Sequence, residues 1–208
     1  MNSNALFEGL EGRKLLAADL SSFGMLRVAG DAGVENAITV TQVDSTITVD
    51  VNGTVDTFAV EDVRAIRIAG RELADTIDVD ASVPVRVLGG PGNDTITSSG
   101  FVQGGFGNDT ITGTEGRNIL HGGPGDDVLV GLGGNDFLVA GFGDDQLDGG
   151  EGDDTLIGAR GANTLVGGIG ADRFFLNLGA NTNDSSDFDA DDGDVERPAW
   201  LLIRSLRR

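Results

Sequence analysis

The sequence predicts an all-β protein built from stacked repeats. Blocks of nine residues follow one another without insertion from residue 104 to residue 175, and a further block occupies residues 89–97. The eighth residue of each block is aliphatic or Phe. Upstream, residues 25–88 contain alternating or β-branched stretches such as "AITVTQV" and "STITVDV". A strand that buries one apolar residue per block has a core only if neighbouring blocks stack, so the pattern favours a stack of short strands.

The nine-residue blocks are defined by two columns. In order they read GGPGNDTIT at 89–97, then GGFGNDTIT, GTEGRNILH, GGPGDDVLV, GLGGNDFLV, AGFGDDQLD, GGEGDDTLI, GARGANTLV and GGIGADRFF. Their sixth residues are Asp94, Asp109, Asn118, Asp127, Asp136, Asp145, Asp154, Asn163 and Asp172. Their eighth residues are Ile96, Ile111, Leu120, Leu129, Leu138, Leu147, Leu156, Leu165 and Phe174. A disordered Gly/Asp tract is the alternative, but such a tract does not keep an apolar residue in register. A weaker echo, "GRELADTID", lies at 70–78.

Composition excludes several classes of protein. The formal charge is −20 and the pI is about 4.1, so a nucleic-acid backbone would be repelled and cations are the expected partners. The chain has no Cys and one His, which removes disulfides, thiolate metal sites and the usual zinc ligands. No apolar run approaches the roughly 20 residues of a membrane span. We therefore expect neither a nucleic-acid partner nor a membrane span.

The Gly and Asp columns indicate a site for a hard cation. Glycine, which supplies 34 of the 208 residues, takes positive φ at little cost and allows a turn with outward-facing carbonyls. The Asp at position 6 adds a carboxylate at the end of that turn. Carbonyl and carboxylate oxygens are the ligands that Ca²⁺ prefers.

The blocks resemble the repeats-in-toxin (RTX) nonapeptide G-G-x-G-x-D-x-U-x, a haemolysin-type calcium-binding repeat. The resemblance implies a right-handed parallel β-roll, in which two nonapeptides form one 18-residue turn with a loop on each side. It also implies that calcium lies between blocks n and n+2. The first loop would contribute its carbonyls at positions 2 and 4 and its Asp, and the second loop its carbonyls at positions 1 and 3 and its Asp.

Carried onto this sequence, the resemblance implies about five calcium ions. One site would use Gly123, Gly125 and Asp127 with Ala140, Phe142 and Asp145; another Leu132, Gly134 and Asp136 with Gly149, Glu151 and Asp154; a third Gly150, Gly152 and Asp154 with Gly167, Ile169 and Asp172; and a fourth Gly105, Gly107 and Asp109 with Gly122, Pro124 and Asp127. The fifth, Gly90, Gly92 and Asp94 with Gly104, Phe106 and Asp109, departs from the 18-residue spacing.

Two blocks have Asn at position 6, and each carries an Arg nearby. We interpret Asn118 and Asn163 as ion-free rows closing the two stacks, with Arg117 or Arg160 partly supplying the missing positive charge. Random decay of two repeats explains them equally well. In "GGPGDDVLV", the neighbouring Asp126 is expected to face water while Asp127 contacts two ions.

Calcium is expected to be part of the fold. Stacked carboxylates repel one another unless a dication lies between them. We therefore expect the repeat region to be largely unfolded in chelator and to gain β structure with calcium, because metal affinity is folding free energy here.

Outside the repeats the predictions are less specific. Residues 25–88 are predicted to be a β-rich cap or degenerate repeats, with "VNG" at 51–53 as a hairpin turn. Residues 1–24 are predicted to be a flexible segment. Within it, "LEGRKLL" resembles the Leu-Glu-Pro-Arg motif of bacterial surface proteins, with Gly12 in place of Pro. A short amphipathic helix is the alternative. Residues 176–208 read as an acidic closing segment with a basic, apolar tail. Their acidic cluster at 184–194 favours a solvated tail over an extra ion site.

No enzymatic motif is present in the sequence. It contains no HExxH, no GxSxG and no Cys, and the repeat register already accounts for the Asp residues. We expect a non-enzymatic calcium-binding protein, secreted or at the cell surface, with a cell-surface or matrix partner. The alternative is a secretion or folding module of a toxin or exoenzyme, or an adhesin repeat region.

Overall fold

The computed structural model describes residues 18–176, 184–185, 193 and 195–198. The all-β prediction is confirmed, since the described residues form strands joined by short loops, with one 3-10 turn at Val60–Asp62. In chain order the strands are β1 Ala18–Leu20, β2 Met25–Ala29, β3 Ala37–Val43, β4 Thr46–Val51, β5 Thr54–Ala59, β6 Ala65–Ala69, β7 Thr76–Asp80, β8 Val85–Pro91, β9 Thr95–Ser98, β10 Gly100–Phe106, β11 Thr110–Thr112, β12 Asn118–Pro124, β13 Val128–Val130, β14 Phe137–Phe142, β15 Gln146–Glu151, β16 Thr155–Arg160, β17 Thr164–Ile169, β18 Arg173–Leu176, β19 Asp184–Ser185 and β20 Val195–Pro198.

The strands form two ten-stranded sheets. From β6 onward, successive strands alternate between the sheets. The first sheet runs β1-β2-β6-β8-β10-β12-β14-β16-β18-β20, and the second runs β19-β17-β15-β13-β11-β9-β7-β3-β4-β5. In the repeats Leu120 pairs with Leu138 and Leu129 with Leu147, both in parallel. Two nonapeptides therefore make one turn of a parallel β-solenoid, as the resemblance to RTX repeats implies.

The core lies between the two sheets. All nine apolar residues at position 8 are buried, from Ile96 to Phe174. Each points inward because strand residues alternate between faces and the flanking positions 7 and 9 face outward. Within the repeats the core is therefore chiefly one ladder of Ile, Leu and Phe side chains, contributed alternately by the two sheets.

Residues 25–88 lie in the same two sheets as the repeats. Strands β2, β6 and β8 join the first sheet, and β3 and β7 join the second, all by parallel pairing. Between β3 and β6 the chain inserts the antiparallel hairpin β4–β5. Its turn residues Asn52 and Gly53 both have positive φ, 53° and 82°, which confirms the predicted hairpin turn.

The N-terminal end of both sheets is antiparallel. Strand β1 pairs antiparallel with β2 on the first sheet, and β5 is the edge strand of the second. The Leu-Glu-Pro-Arg-like segment lies outside the described residues, and so does the acidic cluster apart from β19 and Gly193. Within the described part of the chain, no helix has the length and apolar character to cross a membrane.

Candidate metal centre

The loops between the sheets form two rows, one along each side of the roll. In the long row the final loop residues are Asn36, Asp75, Asp94, Asp109, Asp127, Asp145 and Asn163, and in the short row they are Asn118, Asp136, Asp154 and Asp172. All eleven are buried, at 3 % exposed or less, although each is polar or charged. Buried carboxylates without a counterion are rare in proteins, so these rows are the natural place to look for a cation.

Loop carbonyls point alternately forward and backward along each row. A Cβ added to Gly123 or Gly125 would collide with the carbonyl oxygen of Gly105 or Gly107, one turn earlier, so carbonyls at positions 2 and 4 point toward the next turn. A Cβ on Gly122 would meet the Ala140 carbonyl oxygen at 2.8 Å, and the Phe142 carbonyl accepts a hydrogen bond from Gly125 N–H at 2.8 Å. Carbonyls at positions 1 and 3 therefore point back. Every gap between successive loops is lined with oxygens from both sides.

Positive φ explains why glycine is needed in these loops. Gly123 has φ 132° and Gly125 has φ 138°, which are conformations that side chains rarely adopt. The same loops also approach the preceding turn so closely that a Cβ has no room. The two glycine columns thus produce the alternation of carbonyls that the resemblance implies.

The position-6 residues form a hydrogen-bonded ladder through each row. The backbone N–H of Asp109 donates to Oδ1 of Asp127 at 2.8 Å, and that of Asp127 donates to Oδ1 of Asp145 at 2.8 Å. The short row repeats this from Asn118 to Asp136 at 2.7 Å and from Asp136 to Asp154 at 2.7 Å. Each carboxylate is therefore fixed between two turns, with one oxygen already used.

The other carboxylate oxygen, Oδ2, is buried without a hydrogen-bond donor among the described residues. This holds for six sequence-predicted ligands, Asp94, Asp109, Asp127, Asp136, Asp145 and Asp154. A buried acceptor without a partner costs about 1–3 kcal/mol, and more when it is charged. In the repeat loops that begin with glycine and end with Asp, Oδ2 lies against that first glycine, as Oδ2 of Asp127 lies against Gly122. The residues thus fit a cation: hard oxygens converge, and one negative oxygen per gap lacks a positive partner.

Asn118 shows what fills such a gap when the residue is an amide. Its Nδ2 lies against Gly113 as Oδ2 of Asp127 lies against Gly122. That Nδ2 donates to the carbonyl of Thr114 at 2.8 Å and also to the carbonyl of Gly116, which are positions 2 and 4 of its own loop. It also reaches Oδ1 of Asp136 at 3.3 Å. The amide hydrogens, which carry partial positive charge, therefore act as donors to the oxygens of this gap.

Asn163, at the other end of the long row, also uses both ends of its amide. Its Oδ1 accepts the N–H of Asp145 at 2.8 Å, and its Nδ2 donates to the carbonyl of Gly158. The ion-free state of the Asn118 and Asn163 rows stays a prediction. Burial raises the pKa of Asp136, and the positive charge of Arg117 opposes that rise.

Burial raises the pKa of the ladder carboxyls. Desolvation is the largest cause in each case, and it brings the pKa of Asp94, Asp127, Asp145 and Asp154 to about 6 and that of Asp109 to about 7. Hydrogen bonds from the backbone of the preceding turn oppose this rise, and neighbouring Asp residues add to it. The metal-free site therefore resists the loss of its protons, which a bound dication would reverse.

The five sequence-predicted sites are each brought together by the fold. In all of them the carbonyls at positions 2 and 4 of one loop face the glycines of the next, including Gly90 and Gly92 facing Gly105 and Gly107 across the shorter 15-residue turn. Within the described residues no three Asp, Glu, His or Cys side chains converge on one point. That is expected where two carboxylates share a site with backbone carbonyls.

A second ladder, at position 5, was missed at the sequence level. Asp126 is exposed, as predicted, but its Oδ1 accepts the N–H of Asp144 at 2.9 Å. In the same way, Oδ1 of Asn108 accepts the backbone N–H of Asp126 at 3.0 Å, and Oδ1 of Asn135 accepts that of Asp153 at 3.2 Å. The signal was the Asn/Asp column at position 5, which is visible in the sequence once the turns are aligned at 18 residues. These side chains brace the outer edge of the loops.

Fold and loops together define a parallel β-roll with oxygen-lined gaps between its turns. The family model of the RTX calcium-binding nonapeptide repeat (4 copies) matches residues 86–100, 103–138, 112–147, 121–156, 130–165 and 148–182. Residues 86–182 are therefore an array of RTX calcium-binding repeats, and such repeats imply calcium binding. A search of curated proteins found no match to this chain.

Proposed function

We propose that this chain binds about five calcium ions in the gaps of its loop rows, folds on binding them, and acts as a non-enzymatic structural protein outside the cell or on its surface. The observation that carries the proposal is the buried, donor-less Oδ2 of successive Asp residues. Each such oxygen is fixed beside carbonyls that can only accept, so a cation is the partner that satisfies all of them.

Coupling between calcium and folding follows from the charge and from the core. Five dications would take the formal charge from −20 to about −10. Without them, carboxylates stack along each row and repel through a poorly solvated interior. The repeat strands offset this repulsion chiefly with the single column of apolar residues at position 8. Ion binding is therefore expected to supply much of the folding free energy of the repeats.

An extracellular location is consistent with such a role. RTX repeat proteins are typically secreted. Extracellular calcium modules work with dissociation constants of about 10⁻⁴–10⁻³ M, so the repeats of such a chain would stay unfolded before export and fold on reaching calcium. A cell-surface or matrix component would be its partner.

An adhesin is the second candidate, because apolar side chains lie on the outside of the long row. Phe106 is 65 % exposed and Phe142 is 58 % exposed, both at position 3 of their loops. Replacing both by Ser would abolish calcium-dependent adhesion of coated beads to cells if the chain is an adhesin. A purely structural protein would show the same weak adhesion before and after the change.

The test of calcium binding is a calorimetric titration of the full chain with bound calcium counted by atomic emission. We expect about five ions per chain and a gain of β signal in circular dichroism on passing from chelator to millimolar calcium. Asp127→Asn should lower the count, because Asp127 belongs to two gaps.

Asp126→Asn is the matched control. It removes the same charge one residue away but from an exposed side chain, so the ion count should not change. A wild-type chain that binds no calcium, or whose circular dichroism is the same in chelator and in calcium, would overturn the proposal.

A further inference from the structure

One loop of the long row lies outside the matched repeats. Residues 70–75, "GRELAD", connect β6 to β7 and stack directly on the loop 89–94. The family model begins at residue 86, and this loop has Arg71 and Leu73 where the repeats have glycine at positions 2 and 4. Its sequence therefore lacks the glycine signature of a site.

The backbone of this loop nevertheless has the conformation of the repeats. Arg71 has φ 97° and Leu73 has φ 73°, values that side chains disfavour. Their carbonyl oxygens point at Gly90 and Gly92, where an added Cβ would collide with them. The Gly89 carbonyl points back toward Gly70. Strained non-glycine residues persist where surrounding interactions compensate the cost of the strain.

Asp75 completes the arrangement. It is 1 % exposed, and its backbone N–H donates to Oδ1 of Asp94 at 2.8 Å, which continues the ladder. Its own Oδ1 accepts the N–H of Asn36 at 2.7 Å. Its Oδ2 is buried with no hydrogen-bond partner among the described residues and lies against Gly70. One negative oxygen therefore lies in this gap without a positive partner, as in the repeats.

Asn36 ends the row. Its Nδ2 donates to the carbonyls of Asp31 at 3.2 Å and Val34 at 3.1 Å, and also to the Gly70 carbonyl at 3.2 Å and to Oδ1 of Asp75 at 2.9 Å. This is the arrangement that Asn118 makes at the start of the short row. The gap between Asn36 and Asp75 thus contains an amide, whereas the gap between Asp75 and Asp94 contains none.

We propose that the gap between loops 70–75 and 89–94 is a further calcium site, ligated by the carbonyls of Arg71 and Leu73, the carbonyl of Gly89, and the carboxylates of Asp75 and Asp94. This inference rests on the proposed function, and it extends the ion stack one turn beyond the matched repeats. The ion neutralises Oδ2 of Asp75 and holds in place the carbonyls of Arg71 and Leu73, whose backbone is strained. An Asn at the first position of a row ends the stack by placing amide hydrogens where the ion would lie.

Asp75→Asn in the full chain tests the site, because the amide should close this gap as Asn36 and Asn118 close theirs. Calcium is counted by atomic emission after equilibrium dialysis. We expect one ion fewer per chain than in the wild type, with β signal retained. Asp78→Asn is the matched control, since Asp78 is an exposed residue of the adjoining strand and its loss removes the same charge.

An unchanged count in Asp75→Asn would overturn this site while the wild-type count still supports the proposed function; a wild type without calcium would overturn both. A second measurement covers a variant that fails to fold. Wild-type crystals grown with calcium should give an anomalous scattering peak between Asp75 and Asp94. A map with peaks between the repeat loops and none here would also overturn the site.

Discussion

At the scale of single residues, the choice between Asp and Asn at position 6 decides what fills the gap. The two side chains have the same shape, and both use Oδ1 to accept the backbone N–H of the preceding turn, as Asp127 and Asn163 do. They differ in the other atom. In Asn118 it is a donor that satisfies the surrounding carbonyls, whereas in Asp127 it is a negative oxygen beside the same kind of carbonyls. We therefore expect Asp at position 6 to mark the gaps that hold an ion and Asn to mark the gaps where each stack ends.

Asn118→Asp should create a site. The change removes the donor and adds a carboxylate opposite Asp136, within carbonyls already arranged by the fold. We expect one additional calcium ion per chain in equilibrium dialysis and a fold that depends more strongly on calcium. Asn135→Asp adds the same charge at an exposed position 5 and should leave the count unchanged. An equal count in Asn118→Asp and wild type would contradict this account.

The raised carboxyl pKa values predict how the metal-free chain responds to pH. A carboxyl whose pKa is higher in the folded state than its ordinary value of 3.8 binds protons more tightly when folded. Its contribution to stability is therefore complete below about pH 4 and is lost as the pH rises through about 6 for Asp127 and about 7 for Asp109. We expect the repeats of calcium-free protein, largely unfolded at pH 8, to gain β signal in circular dichroism as the pH falls from 8 to 5.

Asp109→Asn is the control for this titration. It removes the group whose pKa is raised to about 7, so the gain in β signal between pH 8 and pH 6 should be smaller than in the wild type. Metal-free protein whose stability is flat or falls on acidification through this range would refute the assignment of these protons to the ladder.

At the scale of elements, most repeat loops combine positive φ with close approach to the preceding loop, and loop 113–118, the first of the short row, is the exception. Gly125 illustrates both, because its φ is 138° and its Cα lies against the Gly107 carbonyl. Its own carbonyl points forward to Gly143. A substitution there strains the backbone and displaces oxygens of two successive gaps at once.

Gly125→Ala should destabilise the calcium-loaded roll by more than about 1 kcal/mol, because neither φ nor space permits a side chain. The measurement is the calcium concentration at the midpoint of folding, which should rise. Gly116→Ala is a matched control at the same position of another repeat, where an added Cβ meets nothing within 4 Å. It should change stability by less than about 0.5 kcal/mol. Equal shifts in the two variants would show that glycine is not needed for this geometry.

The repeat loops are predictable from the sequence, whereas the loops upstream of them are not. Nine-residue spacing predicted the strands and the buried column, because these features repeat and each has a local physical cause, and the resemblance to RTX repeats implied the five carboxylate pairs. Loop 70–75 was only a loose match, because Arg71 and Leu73 stand where the repeats have glycine. They nevertheless adopt the positive φ that their side chains disfavour. Asn36 lies 39 residues before Asp75, beyond an inserted hairpin, so no period connects them. These relations depend on stacking in three dimensions rather than on a local pattern.

At the scale of the whole molecule, the apolar core changes in width along the roll. The upstream parallel strands β2, β3, β6, β7 and β8 bury two apolar side chains each, such as Ile66 and Ile68 in β6 and Ile77 and Val79 in β7. Most repeat strands bury one, such as Leu129 in β13 and Leu147 in β15. Burying an aliphatic side chain contributes roughly 1.5–3 kcal/mol, so the upstream turns have about twice the apolar stabilisation per strand. They also contain fewer stacked carboxylates.

This gradient predicts that calcium removal unfolds the molecule unevenly. In chelator, the amides of β2, β3, β6 and β7 should keep measurable protection against hydrogen exchange, because their apolar contacts need no ion. The amides of β11–β17 should exchange at close to unfolded rates, because their carboxylate ladders repel and one apolar residue per strand does not compensate. Hydrogen-exchange mass spectrometry of the full chain, with and without calcium, measures both regions in one sample. Uniform loss of protection along the chain would contradict the prediction, because the upstream turns would then depend on the ion stack as much as the repeats do. Uniform retention of protection would also contradict it, because the carboxylate ladders would then not destabilise the metal-free roll.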